Sequence, residues 1–302
     1  MLTIAGSDSG GGAGLQADLR TFAALGVFGT SAVTAVTAQN TTAVLAVEAL
    51  RPELVIDQIH AVLADLHPVA VKTGMLASPE TVAAVAELAS AGLLPNLVVD
   101  PVLVSSTGHP LMDEGGVRAY RDLLLPYAAI ATPNLREAAV LTGRTLAELA
   151  SVEAMEIAGA ELLALGIHTV VVKGGHLAAA VAERGTDASA QREGALRSPP
   201  PAPNRILDSP DVVVGPAGTM WLPAPRIETT NDHGTGCSLS AAIAAFLGQG
   251  ADHLDAIRRA KAFVREASIG ASSWRLGAGH GPIVHVGWSR RGTTFDPFDR
   301  GE

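Results

Sequence analysis

The sequence predicts an α/β protein with a largely parallel central sheet covered on both faces. Two observations carry that prediction. Short apolar, β-branched runs alternate with segments of helical periodicity along most of the 302 residues. Glycines and polar side chains then recur just after those runs, where an open parallel sheet gathers its ligands into one crevice. The composition agrees, with 48% hydrophobic residues to fill a core. Aromatics make up only 4%, so small side chains must do much of the packing.

The bulk numbers exclude several function classes. A net charge of −9 argues against a general nucleic-acid binder, so an anionic substrate must be met by local donors. The single cysteine, Cys237, forbids an intrachain disulfide and a cysteine-rich zinc site, and it fits a reducing cytoplasm. The opening MLTIAGSDSGGG has neither a basic region nor a long apolar run, so no signal peptide is expected. No run of about 18 apolar residues occurs, so no membrane partner is expected. The chain reads as one domain over residues 1–288, with a proline-rich exposed loop near 188–204 and a polar tail from 289 to 302.

Leu2–Ala5 reads as a buried strand, and the glycine loop from Gly6 to Gly14 leads into a helix ending near Gly26. Leu15, Leu19, Phe22 and Ala23 mark its expected buried face. The loop matches neither G-x-G-x-x-G nor G-x-x-x-x-G-K-[ST], so dinucleotide and P-loop sites are excluded. Asp18, one turn into the helix, either faces the same pocket or is an exposed acid near a helix start. Ala32–Ala38 is a strand ending at Gln39, whose amide suits a heterocycle edge or simply a turn. A helix follows over Leu54–Leu66, with Leu66 on its buried face. Val69–Lys72 is a strand with Thr73-Gly74-Met75 after it, and Pro79–Ala91 is a helix. Leu97–Val102 is a strand closing on Asp100, at the edge where carboxylates often bind Mg²⁺. Ile130–Thr132 delivers Asn134 and Glu137 to another strand-to-helix loop. Asp100 and Glu137 thus form a candidate pair for Mg²⁺ carrying ATP phosphates, although an acid at position 137 also suits a helix start. Glu153–Leu165 is a helix and Thr169–Val172 a strand, with Lys173 at its carboxyl end to meet a phosphate or to stand in solvent. Thr219–Leu222 resumes strand character, and His253–Trp274 is a further helix.

The segment Asn231–Leu247, NDHGTGCSLSAAIAAFL, is the centre of the functional reading. Leu239, Ala242, Ile243, Phe246 and Leu247 recur at helical spacing, so one helix face is expected to be buried. Gly234, Thr235, Gly236 and Cys237 stand at its start. A helix start leaves N–H groups unpaired and carries a partial positive charge, and glycine lets an anion approach the backbone. The alternative is a glycine loop preceding an ordinary core helix.

Several segments together resemble one family along nearly the whole chain. They are AGSDSGGGAGLQADLRTFAALG, TAVTAQNT, VKTGML, VVDPVLVSSTGHPL, TPNLREAAVLTG, VVVKGGH and NDHGTGCSLSAAIAA. The chain resembles the hydroxymethylpyrimidine/phosphomethylpyrimidine kinases of thiamine biosynthesis, within the ribokinase-like superfamily. The resemblance implies a three-layer α/β/α sandwich, commonly a homodimer, using ATP and Mg²⁺ on a small-molecule substrate. It implies that Asp18 and Gln39 hydrogen-bond the aminopyrimidine, with Gly6 nearby and Met75 packed on the ring. Asp100, Asn134 and Glu137 would organise ATP and Mg²⁺, and Lys173 would lie near the phosphates. The amides from Gly234 through Thr235 and Gly236 to Cys237 would stabilise the transferring phosphoryl group. Cys237 holds the position of the catalytic base, and a helix start is expected to lower its pKa. Two departures stand out. Asp232 replaces an uncharged polar residue, and the stretch between His176 and Thr219 is longer than the family leads one to expect. The rival readings are a pyridoxal or pyridoxine kinase, a sugar kinase, which Cys237 disfavours, and a binding regulator without catalysis.

Overall fold

The computed structural model describes residues 1–103, 111–175, 177 and 209–286. The expected loop near 188–204, the tail from 289, and His176 lie outside the described residues. The chain runs β1 (Leu2–Ala5), α1 (Gly14–Ala24), β2 (Thr30–Val33), β3 (Ala35–Gln39), β4 (Val44–Ala49), α2 (Pro52–Leu66), β5 (Val71–Thr73), α3 (Pro79–Ser90) and β6 (Val98–Val99). It continues with α4 (Glu114–Ala119), β7 (Ile130–Ala131), α5 (Leu135–Thr142), α6 (Val152–Leu163), β8 (Thr169–Val172), β9 (Asp211–Gly215), β10 (Gly218–Leu222), α7 (Thr235–Gly248) and α8 (His253–Ala271).

Eight strands form the main sheet in the order β10-β9-β8-β7-β6-β5-β1-β2. The six strands from β8 to β2 are parallel, and β9 and β10 close one edge as an antiparallel pair. Residue alternation divides the strands between two cores. Val99, Ala131, Val170, Val172, Val212 and Val214 pack with side chains of α2, α3, α5 and α6. Their neighbours Val98, Ile130, Val171 and Val213 pack on α7 and α8. Phe22 of α1 joins α7 on that second face through Ala241 and Ala245. The result is the three-layer α/β/α sandwich with a largely parallel sheet.

Helix starts follow their caps. Ser78, Ser151 and Asp252 each accept the N–H three residues on, at the heads of α3, α6 and α8. Asn134 and Glu137 form a reciprocal capping box at α5.

Several sequence expectations need correction. The strand expected over Ala32–Ala38 is two strands: β2 stays in the main sheet, whereas β3 leaves it to pair with β4 in a separate antiparallel ribbon. Strand β4 lacks an amphipathic pattern because all six of its residues are exposed. On α1, Ala23 is exposed, and the buried set instead includes Ala17, Asp18 and Thr21. Leu66 of α2 is exposed as well. Helix α7 has no single buried face, since every residue from Ser238 to Leu247 is buried between the sheet, α1 and α8. The strand expected at 69–72 runs 71–73. The one expected at 97–102 keeps only two ladder residues, ending just before Asp100-Pro101, where proline has no N–H to give a ladder.

Candidate active site

Two glycine loops meet at the carboxyl edge of the sheet. The first follows β1 and the second opens α7. Gly234 has φ +84°, and a Cβ there would overlap the Gly12 carbonyl oxygen, so both the conformation and the close approach require glycine. No side chain caps the start of α7. The Thr235 N–H donates to the Asp232 carbonyl at 3.3 Å, and the Gly236 and Cys237 amides follow it at the positive end of the helix.

Asp8 ties the two loops together. Its Oδ1 accepts the Gly10 N–H at 2.8 Å, and its Oδ2 accepts those of Gly12 at 3.0 Å and Ala13 at 2.8 Å. The same Oδ2 lies 2.9 Å from His233 Nε2. Burial opposes the Asp8 charge, but His233 and the Ala13 and Gly10 amides outweigh it and hold the carboxyl below its usual range. Gln39, at the end of β3, brings its amide nitrogen within 3.4 Å of the same imidazole nitrogen. Gly6 and Met75 also meet: the Gly6 N–H donates to the Met75 carbonyl at 3.1 Å, and the Met75 methyl occupies the space that a Cβ on Gly6 would need.

Below the loops lies a buried ion pair. Lys72 Nζ of β5 stands 2.8 Å from Asp18 Oδ2, with both side chains at 0% exposure. Thr3 donates to the same oxygen at 2.6 Å, and Asp18 Oδ1 is buried without a partner. Asp18 is therefore not the exposed helix-start acid that its position in α1 allowed. Burial disfavours the Lys72 charge, yet Asp18, Cys237 and Asp100 together hold its ammonium above the usual lysine range.

The third cluster faces the α7 start. Lys173 Nζ sits 2.9 Å from Asp100 Oδ1 and 4.0 Å from Glu137 Oε2, and 3.2 Å from where a Cβ on Gly236 would stand. Thr132 donates to Asp100 Oδ1 at 3.2 Å. Burial opposes the Asp100 charge, but Lys173 and Lys72 hold that carboxyl low. Burial pushes Glu137 up to about 8, against the pull of Lys173 and with the push of Asp100. Asn134 spends its side chain on the Glu137 N–H at 3.0 Å, and Glu137 Oε2 accepts the Asn134 N–H at 2.7 Å.

Two carboxylates beside one lysine suit Mg²⁺, which takes one or two protein carboxylates together with water and phosphate oxygens. A cation at this point would also favour the ionised form of Glu137. Among the described residues no group of three His, Cys, Asp or Glu gathers into an all-protein metal cage.

Cys237 lies among these clusters, partly exposed, with the Gly14 amide close enough to its sulfur to favour the thiolate. The expected lowering of its pKa is not met. Burial pushes the thiol up to about 11, against the pull of Lys72 and with the push of Asp100 and Asp18.

The predicted site residues thus converge, but sequence reasoning missed part of the support. Lys72 was legible only as a charged residue inside an apolar strand. Asp8 and His233 were hidden because loop contacts have no spacing rule. Ser238 Oγ lies 2.7 Å from His285 Nε2 in a buried pair one residue past Cys237, and no local signal announced it. Asp232 pairs with His280 at 2.7 Å and its carbonyl accepts the Thr235 hydroxyl, so the departure at 232 sits beside the turn.

Known proteins share this arrangement of sequence. The family described as Phosphomethylpyrimidine kinase matches residues 8–284. A hydroxymethylpyrimidine/phosphomethylpyrimidine kinase of Rhizobium meliloti is 46% identical over 94% of this chain and 96% of its own. The thiamine biosynthesis bifunctional protein ThiED of Geobacter sulfurreducens is 41% identical over 95% of this chain, which spans 52% of that longer protein. Among solved structures, the pyridoxal kinase from Staphylococcus aureus in complex with AMP-PCP and pyridoxal aligns with a TM-score of 0.77 at 30% identity, covering 96% of this chain and 94% of that one.

Proposed function

The chain belongs to the phosphomethylpyrimidine kinase family, and on that premise we propose that it phosphorylates 4-amino-5-hydroxymethyl-2-methylpyrimidine with ATP. It then phosphorylates the monophosphate to the diphosphate, supplying thiamine biosynthesis in the cytoplasm. One observation carries this reading. The uncapped α7 start, with Gly236 against Lys173 and Lys173 paired with Asp100, lies with the Gly6–Met75 and Gln39 region on one edge of the sheet. In this reading the residues that handle the phosphoryl group adjoin those that hold the flat heterocycle.

Phosphoryl transfer needs alignment and charge neutralisation more than covalent help. In this reading the amides of Gly234, Thr235, Gly236 and Cys237 receive the charge on the transferring group. Lys173 meets the ATP phosphates, and Asn134 holds Glu137 in place. Asp100 and Glu137 would hold Mg²⁺, which when bound neutralises phosphate charge. Gly6, Gln39 and Met75 hold the pyrimidine. Asp18 contributes through Oδ1 and through the Lys72 it keeps beside Cys237. Residues 1–288 act as one catalytic domain, and two copies form a homodimer.

Cys237 has different work in the two steps. A hydroxymethyl acceptor must lose a proton, whereas a phosphate acceptor is already anionic. With the thiol near 11, the first step should speed up as pH rises from 7 to 9, because more thiolate is present. Cys237→Ala should slow the first phosphorylation more than the second and flatten that rise.

The test is ATP consumption with Mg²⁺ on hydroxymethylpyrimidine, its monophosphate and pyridoxal, for wild type and Cys237→Ala. Turnover of both pyrimidines supports the proposal, and equal losses in both steps overturn the role given to Cys237. Turnover of pyridoxal alone favours the second reading, a vitamin B6 kinase, to which the likeness to the Staphylococcus aureus structure points.

A further inference from the structure

An ion pair that takes no part in the proposed substrate contacts holds the backbone that carries Lys173. The ladder between β8 and β9 ends at Val172 and Val212, and Pro210 has no N–H with which to extend it. A side chain takes over there. Asp211 Oδ1 accepts the Gly174 N–H at 3.0 Å. On the other side the Lys173 N–H donates to the Pro133 carbonyl, just past β7, at 2.9 Å. Two consecutive amides of the turn after β8 are thus tied to the chain on either side of it. The turn also lies directly on β9, since a Cβ on Gly174 would stand 1.8 Å from the Pro210 carbonyl oxygen.

Lys261 of α8 fixes Asp211 in turn. Its Nζ lies 2.7 Å from Asp211 Oδ2 and 2.7 Å from the Leu222 carbonyl oxygen, and both side chains are largely buried. The carboxylate therefore gives one oxygen to the ammonium and the other to the Gly174 N–H. A charged acceptor holds such an N–H more tightly than a neutral one. Lys173 carries its charge on a flexible four-carbon stem, so the placement of its Cα decides where the ammonium can reach. From this backbone its Nζ comes to 2.9 Å from Asp100 Oδ1 and 3.2 Å from where a Cβ on Gly236 would stand, at the start of α7.

We propose that Asp211 and Lys261 are positioning residues that anchor the turn after β8, so that Lys173 is presented to the nucleotide phosphates. They thereby set the affinity for MgATP without touching it. This rests on the reading that Lys173 meets the ATP phosphates.

Calorimetric titration of the intact protein with MgATP and, separately, with hydroxymethylpyrimidine tests it. Asp211→Asn keeps the shape but has one acceptor oxygen for two donors, so the Lys261 ammonium takes it and the Gly174 N–H loses its partner. MgATP should bind about tenfold more weakly, with pyrimidine affinity held within about twofold. Adding Lys261→Met frees the amide oxygen for Gly174 and should restore MgATP binding to within about threefold of wild type. In a Lys173→Met background Asp211→Asn should bring no further loss, because the side chain through which it acts is gone. Urea midpoints show which variants are folded. Should Asp211→Asn not fold, Asp211→Ala combined with Lys261→Met leaves no unpaired charge, still removes the Gly174 acceptor and should show the same tenfold loss. Unchanged MgATP affinity in the folded variant, an equal loss for the pyrimidine, no rescue by Lys261→Met, or a full additional loss in the Lys173→Met background overturns the proposal. Lys173→Met that binds MgATP as well as wild type overturns the functional reading of Lys173 beneath it, and the two failures are thereby told apart.

Discussion

His285 sits against Ser238, one residue beyond Cys237, and is itself buried. Burial pushes its imidazole from 6.5 down to about 4, and the Arg20 guanidinium adds to that direction. A histidine whose folded pKa is depressed is protonated in the unfolded chain first. Its contribution is complete above about 6.5 and is lost as pH falls toward 4. By pH 5 the loss should reach about 2 kcal/mol, from about 1.5 units at 1.36 kcal/mol each. Urea midpoints at pH 7 and pH 5 check this: wild type should lose stability between them, and His285→Gln should lose about 2 kcal/mol less. An identical pH dependence in the two would reject it. At this scale the sequence disclosed residues that stand in motifs, such as Cys237, Asp100 and Lys173. It did not disclose His285, Asp8 or Lys72, because their meaning comes from partners 47, 225 and 54 residues away.

Helix α5 shows how one side chain can serve structure and chemistry together. Glu137 was readable either as a helix-start acid or as a ligand, and the capping box makes it the former without preventing the latter. One carboxylate oxygen accepts the Asn134 N–H, and the same oxygen lies 4.0 Å from Lys173. Glutamine can accept that N–H equally but brings no charge. Glu137→Gln should therefore hold stability within about 0.5 kcal/mol of wild type and yet raise the Mg²⁺ concentration needed for half-maximal turnover. Glu137→Ala should also cost about 1 kcal/mol through the lost cap. Denaturation and metal titration of both variants separate the two roles, and equal stability losses in Gln and Ala would reject the division. Most elements were legible in the sequence because caps and apolar periodicity are local. The ribbon of β3 and β4 was not, since strand character in Ala32–Ala38 runs without interruption through the point where the chain changes sheets. The buried circumference of α7 was hidden for a related reason: small residues such as Ser238, Ser240 and Ala244 look neutral in sequence and are enclosed only by packing.

The whole molecule leaves that ribbon in an unusual position. The main sheet is covered on both faces, whereas β3 and β4 stand apart as two strands. A two-stranded ribbon is marginal in water unless something packs on it. Val36, Leu45 and Val47 are nevertheless 52%, 73% and 45% exposed, and Val44 lies beside them. Only Ala35 and Thr37 of β3 are buried, with Thr37 bonded to Ser7 of the first glycine loop. Gln39 ends the same strand, so whatever steadies the ribbon also steadies a substrate contact. A second copy of the chain would cover this apolar surface and account for its composition. Light scattering should accordingly give twice the chain mass of 30.8 kDa, and Leu45→Lys should shift it toward a single chain mass. Because the ribbon carries Gln39, the same variant should raise the KM for the pyrimidine more than the KM for ATP. A wild-type protein of single chain mass, or a dimer indifferent to a charge at Leu45, would show that the ribbon is stable without a partner copy.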